Sequence, residues 1–307
     1  MDKRLGVVGL VVLVLADAFL VAWAFGLVPL GGDDAQDSSG ATSTPSSASP
    51  SGSPSSSSPT EEKPAAVPLV EALDADRALR ASYTPCEGEG GEASTEVERT
   101  TDGGKTWESS EVPARTVLRL RLTTESEGFS VVADESCKPR VVTTGDGGAT
   151  WSGLEAAQST WGLWPEGGGK ILVPGGVSVE ACNRADVRSL SAIDARRAYV
   201  LCADGAVRET PDGGQTWSGV AKVKGAVALA AREDQAAVLR TTDDCEGVGV
   251  RAGTLGEQLE IGEETTCVDG VSSPAAVSVT GDVGWVTDGK ATAVGPQLDA
   301  LDVVSEG

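Results

Sequence analysis

Three aspartates in this sequence recur among the same neighbours. They lie in Thr100-Thr101-Asp102-Gly103-Gly104-Lys105-Thr106-Trp107, in Thr144-Gly145-Asp146-Gly147-Gly148-Ala149-Thr150-Trp151, and in Thr210-Pro211-Asp212-Gly213-Gly214-Gln215-Thr216-Trp217. A carboxylate at a fixed place could act as an acid or base, or as a calcium ligand. The surrounding residues favour a turn instead. Asp accepts hydrogen bonds from turn amides, Gly-Gly supplies positive φ angles, and Trp offers a large apolar face. A carboxylate shared by several repeats belongs to the scaffold. Asp102, Gly104, Thr106 and Trp107 are therefore read as structural, as are Asp146, Gly148, Thr150 and Trp151, and Asp212, Gly214, Thr216 and Trp217.

Other reactive side chains are sparse. The chain has no His, which excludes Ser-His-Asp and Cys-His machinery and removes the commonest general base. The adjacent carboxylates Asp243 and Asp244, and Glu263 and Glu264, have the composition of a glycosidase pair, but exposed loop charges are the far commoner explanation. No catalytic residue and no cofactor is assigned. Six cysteines, Cys86, Cys137, Cys182, Cys202, Cys245 and Cys267, all follow the apolar amino-terminal segment. An even number favours disulfides, and six cysteines allow fifteen pairings. A metal site is the alternative, but there is no CxxC spacing and no His to complete one, so no metal is expected.

These residues need elements to carry them. Each octamer follows a β-prone run (Val97 to Thr100, Val141 to Thr144, Val207 to Thr210) and precedes another extended segment, which makes it a hairpin turn. A longer unit surrounds it. Asp194 to Cys202, Glu127 to Val132 and Asp76 to Ala81 stand in one place before the three octamers. Degenerate copies follow at Ala236 to Arg240 and Val283 to Val286, with another around Trp164 to Val173. The octamers are 44 and 66 residues apart, which suits three intervals near the length of a four-stranded blade. Local propensity alone would make Val70 to Ala81 a helix, and the repeat register overrides it.

The octamer resembles the Asp-box of bacterial neuraminidase repeats, a turn found in β-propellers. The whole unit of strand, Gly turn, strand and box is similar to the propellers of the photosystem II assembly factor family. The similarity covers residues 69 to 294, and the three boxes are its specific part. It implies an all-β chain and a six- or seven-bladed β-propeller, with the boxes away from any ligand site; this chain departs from that family in that half its blades lack a box and its folded part is strongly acidic. A sialidase on this fold would need an arginine cluster, a tyrosine nucleophile and an acid. Only Tyr83 and Tyr199 are available, and Tyr199 takes the place of Phe129 and Trp285 in other blades, which is a packing position.

The blade register also narrows the cysteine pairing. Cys86, Cys137, Cys202 and Cys245 fall at the turn between second and third strands, and Cys182 and Cys267 fall in connections between blades. Because strands alternate in direction, both kinds of connection share one rim, opposite the boxes. Sequential bridges 86–137, 182–202 and 245–267 are expected there, holding long loops such as Thr84 to Glu96 and Asp243 to Gly253.

The amino-terminal part is of another kind. Residues 1–4 carry Lys3 and Arg4. Leu5 to Val28 is apolar except for Asp17, and 24 helical residues reach about 36 Å, enough for a bilayer core of about 30 Å. A transmembrane signal anchor over 5–30 is expected, with the amino terminus cytoplasmic and the rest outside. Its rival is a cleaved signal peptide, for which Ala22-Trp23-Ala24 has the small-x-small form. Residues 31–67 are rich in Ser, Pro and Thr and read as a disordered tether that extends to about 110 Å. Residues 68–307 are the propeller. The first 67 residues hold seven acidic and three basic residues, so 39 acidic and 21 basic residues remain and the propeller carries a net charge near −18. Such a field disfavours nucleic acid. The sequence therefore reads as a membrane-anchored, extracytoplasmic binding or scaffold module for a protein or glycan at the cell surface, with a sialidase-like or other glycoside hydrolase as the rival.

Overall fold

The structure, a computed structural model, describes residues 66–86, 94–281 and 283–305. The chain divides into two compact units, residues 1–60 and 61–307, and the described residues all belong to the second. The expected cytoplasmic tail, membrane span and all but the end of the tether lie outside them.

The described residues form six sheets, each built from consecutive antiparallel strands. Blade one is β1 (Val67–Ala72), β2 (Ala78–Tyr83), β3 (Thr95–Thr100) and β4 (Glu108–Val112). Blade two is β5 (Thr116–Leu122), β6 (Gly128–Ala133), β7 (Pro139–Thr144) and β8 (Ser152–Ala156), and blade three is β9 (Gly162–Leu163), β10 (Lys170–Val173) and β11 (Val177–Glu180). Blade four is β12 (Val187–Ala192), β13 (Ala198–Cys202), β14 (Ala206–Thr210) and β15 (Ser218–Lys222). Blade five holds β16 (Ala226–Arg232), β17 (Gln235–Arg240), β18 (Val248–Leu255), β19 (Leu259–Ile261) and β20 (Thr266–Val268). Blade six is β21 (Ala276–Thr280), β22 (Val283–Thr287), β23 (Thr292–Gly295) and β24 (Asp302–Val304). The fold is a six-bladed β-propeller, which decides the count between six and seven.

The helix that local propensity favours over Val70 to Ala81 does not form. Leu69, Val70 and Glu71 pair with Ala81, Arg80 and Leu79 instead, around a turn in which Asp74 Oδ1 accepts from the Asp76 and Arg77 amides. Burial against blades two and six outweighs a propensity difference of a few tenths of a kcal/mol per residue.

Apolar side chains pack chiefly between blades. Leu79, Val97 and Val112 of blade one meet Val117, Leu120, Val132 and Val142 of blade two. Tyr199, Leu201 and Val207 of blade four meet Leu229, Ala236 and Val238 of blade five. The ring closes without any exchange of strands, because blades one and six are each continuous in sequence. Side chains do the joining: Ser278 Oγ accepts from the Ala72 amide at 3.0 Å, Thr280 Oγ1 donates to the Leu73 carbonyl at 3.1 Å, and Trp285 Nε1 donates to the Asp74 carbonyl at 2.9 Å.

Blade three departs from the pattern. Trp161, just before β9, donates through Nε1 to the Asp194 carbonyl of blade four at 2.7 Å, as Trp285 of the second strand of blade six does to Asp74 of blade one. β9 thus corresponds to a second strand, and residues 157–161, where an innermost strand would run, form none. The aromatic of this degenerate repeat is therefore Trp161, just ahead of the stretch from Trp164 to Val173 where the sequence places the copy.

Candidate functional site

The three octamers build one turn three times. Thr100 Oγ1 donates to Asp102 Oδ1 at 2.8 Å and accepts from the Gly104 amide at 3.0 Å, while Asp102 accepts from the Thr106 amide at 2.9 Å and from the Thr106 hydroxyl at 2.7 Å. The same bonds recur around Asp146, from Thr144, Gly148 and Thr150, and around Asp212, from Thr210, Gly214 and Thr216. Gly103 and Gly104 take φ of 75° and 84°, and the other two Gly-Gly pairs do likewise, which an L side chain rarely adopts. Hydrogen bonds from Thr106, Thr150 and Thr216 hold the three carboxyls down at about 2.

Each octamer also reaches the preceding blade. Trp107 packs edge to face on Trp285 with centroids 6.3 Å apart, Trp217 does so on Trp161 at 6.5 Å, and Trp151 Nε1 donates to Ser110 Oγ at 3.1 Å. The three octamer tryptophans are only half-buried, whereas Trp161 and Trp285 are 2% and 0% exposed. In the two aromatic contacts the fully buried ring is thus the partner in the preceding blade, not the tryptophan of the turn as the sequence suggests.

The first turn of each box-bearing blade lies beside its octamer: the Gly103, Gly147 and Gly213 amides donate to the Asp76, Ser126 and Arg196 carbonyls. This box face is opposite the second turns and the blade-to-blade connections. All six cysteines are at the latter rim, bonded as Cys86–Cys137, Cys182–Cys202 and Cys245–Cys267. The first ties blades one and two, and the second ties blades three and four. The third stays within blade five, because Cys267 lies in β20, which pairs on β18, and not in a connection between blades. The loop expected over Asp243 to Gly253 is also shorter, since β18 begins at Val248.

Between blades four and five the cysteine rim carries a groove of about 550 Å³. Arg188, Lys222 and Lys224 line it against the single carboxylate Asp204, which stands 3.6 Å from Lys222 Nζ. Arg188 is the extra residue of a bulge in β12, and β5 and β16 carry bulges at the same level. A bulge re-aims the strand locally. Here it brings Arg188 to the wall of both the groove and the central channel.

The channel is lined by β1, β5, β12, β16 and β21, and encloses about 100 Å³. Towards the box face it is charged. Glu71 Oε1 accepts from Arg121 Nη1 at 3.0 Å and lies 3.5 Å from Arg232 Nη1, which also donates to the Ala72 carbonyl at 3.0 Å. Three blades thus meet on one carboxylate. Burial pushes the Glu71 carboxyl up, against the opposing pull of Arg121, Arg232 and Arg119. Arg119 is held down at about 10, chiefly by burial and further by Arg121.

Sequence reasoning missed these four residues. The signal was present as Arg119 and Arg121 two apart in a β-run, but only a strand known to be innermost aims that alternation at the axis.

The sialidase constellation is not assembled. Tyr83 Oη donates to the Trp164 carbonyl at 2.9 Å, and Tyr199 Oη bonds Glu209 at 3.0 Å beneath the Arg197 guanidinium. Burial raises both phenols, and neither lines the channel. Asp244 bonds Thr242 within its own turn, and Glu263 and Glu264 are exposed. Among the described residues no cluster of acidic residues and cysteines is placed to hold a metal ion.

No protein-family model and no curated protein matches the chain. Solved structures similar to it include YCF48 bound to D1 peptide, 16% identical with a TM-score of 0.30, over 78% of this chain and 67% of that one. YCF48 from Cyanidioschyzon merolae is 13% identical with a TM-score of 0.31, over 78% and 71%. The N-terminal domain of Nup159 is 9% identical with a TM-score of 0.31, over 74% and 57%.

Proposed function

We propose that the chain is a membrane-anchored, extracytoplasmic propeller of the Asp-box kind that acts as a binding or scaffold module, holding a protein partner on its cysteine rim. The observation that carries this reading is that all three disulfides lie on one rim and none on the other. A loop surface that must order on binding loses affinity in proportion to its freedom, and crosslinks remove that freedom beforehand. Disulfides also belong to compartments outside the cytosol, which agrees with the orientation read from Lys3, Arg4 and the apolar run after them. The rim groove at Arg188, Lys222 and Lys224 gives the partner an address. On a domain of net charge near −18 it favours an acidic segment of a protein.

The test is crosslinking and capture from the native cell surface, followed by affinity measurements on the captured protein with oxidised and reduced chain. Circular dichroism serves as the folding control. Reduction is expected to weaken binding before the blades melt, and Lys222→Glu with Lys224→Glu is expected to weaken it at least tenfold. Equal affinity with the bridges open, or a footprint on the box face, would overturn the reading.

A further inference from the structure

The charged cluster at the box-side end of the channel is unbalanced. Arg119, Arg121 and Arg232 face the single carboxylate of Glu71, so two positive charges are left over. Arg121 and Arg232 divide Glu71 between them, with side chains 25% and 19% exposed. Arg119 has far less. Among the described residues it forms no ion pair, donates one long hydrogen bond of 3.4 Å to Thr160 Oγ1, and stands 5.8 Å from the Phe129 ring centroid.

A guanidinium carries five N–H donors, and a charge withdrawn from water is normally paired and hydrogen-bonded. The other polar groups of the channel cannot meet that need, because they are spent on the backbone. Ser189 Oγ accepts from the Leu229 amide, Ser191 Oγ from the Ala231 amide, and Ser278 Oγ from the Ala72 amide. The enclosed space of about 100 Å³ is several times what one ordered water requires, about 10 to 15 Å³. It is too narrow for a second chain.

We infer that the box-side half of the channel is a binding site for a small dianionic oxyanion, whose carboxylate or phosphate oxygens are received by Arg119 and flanked by Arg121 and Arg232. The planar fork of Arg119 matches either group with two parallel hydrogen bonds. Two surplus positive charges match a dianion. Glu71, Arg121 and Arg232 cluster towards the box face while Arg188 also lines the rim groove, so the site is distinct from the partner surface proposed above. A bound anion would also tie blades two and five more firmly across the axis, since Arg119 and Arg121 come from blade two and Arg232 from blade five.

The full chain should be titrated with inorganic phosphate and, separately, with malonate, against sodium chloride of equal ionic strength. Saturable binding and a raised melting temperature are expected with at least one dianion and not with chloride, and the tighter of the two names the group. Arg119→Gln should weaken that binding at least tenfold, whereas Arg196→Gln, exposed and outside the channel, should leave it unchanged. If Arg119→Gln does not fold, dicarbonyl modification of the wild-type chain gives the answer. Mapped by mass spectrometry, the dianion should slow modification of Arg119 and not of the exposed Arg196. No saturable binding beyond the chloride control, or equal modification of Arg119 with and without the dianion, would overturn the assignment.

Discussion

Aspartate is the commonest device for shaping turns in this molecule. Asp74, Asp134, Asp194, Asp204 and Asp288 accept backbone amides in ordinary turns much as Asp102, Asp146 and Asp212 do in the octamers, and all eight carboxyls are held below their ordinary range. Part of the acidity is therefore structural. A group whose pKa is lower in the folded than in the unfolded state stabilises the fold at high pH and loses that contribution as pH falls through its folded value. The melting temperature is thus expected to hold down to about pH 4, the ordinary carboxylate range, and to fall steeply between there and about pH 2. Glu71, pushed up by burial, works in the opposite sense but is a single group. Thermal melts at pH 5, 3 and 2 check this, and a flat profile would deny the aspartates their role. The tryptophans give a second residue-scale expectation. Trp161→Ala or Trp285→Ala should cost about 3 to 5 kcal/mol, since each removes a fully buried aromatic and its bond to the next blade. Trp107→Ala, half-buried, should cost roughly half as much, about 2 kcal/mol. Denaturant titration of the three variants would reverse that order only if the octamer tryptophan were the true core residue.

At the scale of elements, the octamer register outweighed local propensity at β1 and β2, and blade register led to the three cysteine pairs although it put Cys267 in a connection and not in β20. Neither inference needed the side chains in place, because alternating strands put connections of one kind on one rim. Bridging residues 51 apart, Cys86–Cys137 closes a longer loop than Cys182–Cys202, whose partners are 20 apart. By loop-closure entropy, paired serine replacement should cost about 4 kcal/mol for the first and about 3 kcal/mol for the second. Chemical denaturation of the two double variants measures both. A smaller loss at Cys86–Cys137 than at Cys182–Cys202 would mean that the reduced chain is already restrained between blades one and two. Blade three was the least legible element. With β9 only two residues long and no octamer in the blade, there was too little periodic sequence to show that its innermost strand is missing.

For the molecule as a whole, the ring is closed by side chains alone, through Ser278, Thr280 and Trp285 to the start of blade one. The carboxy-terminal end of β1 and the turn after it are thereby tied to blade six. We expect the chain to stay with the membrane fraction and its propeller to be digested by protease added outside intact cells. Fractionation and sequencing of the mature amino terminus test this. A soluble product beginning at Phe25 would replace the anchor with a cleaved signal peptide.

Composition and spacing, with the resemblance carried by the repeated octamer, pointed to the all-β class, a propeller and the three cysteine pairs. Each of these follows from properties that repeat along the chain, such as turn chemistry, strand alternation and blade length, and a repeat states the same physics several times over. Tertiary structure decided what depends on closure of the ring. Six blades and not seven, the fully buried places of Trp161 and Trp285, and the meeting of Glu71, Arg119, Arg121 and Arg232 at the axis all depend on residues up to 211 positions apart. Their neighbourhood is set by how many blades complete the circle, and no local pattern carries that number.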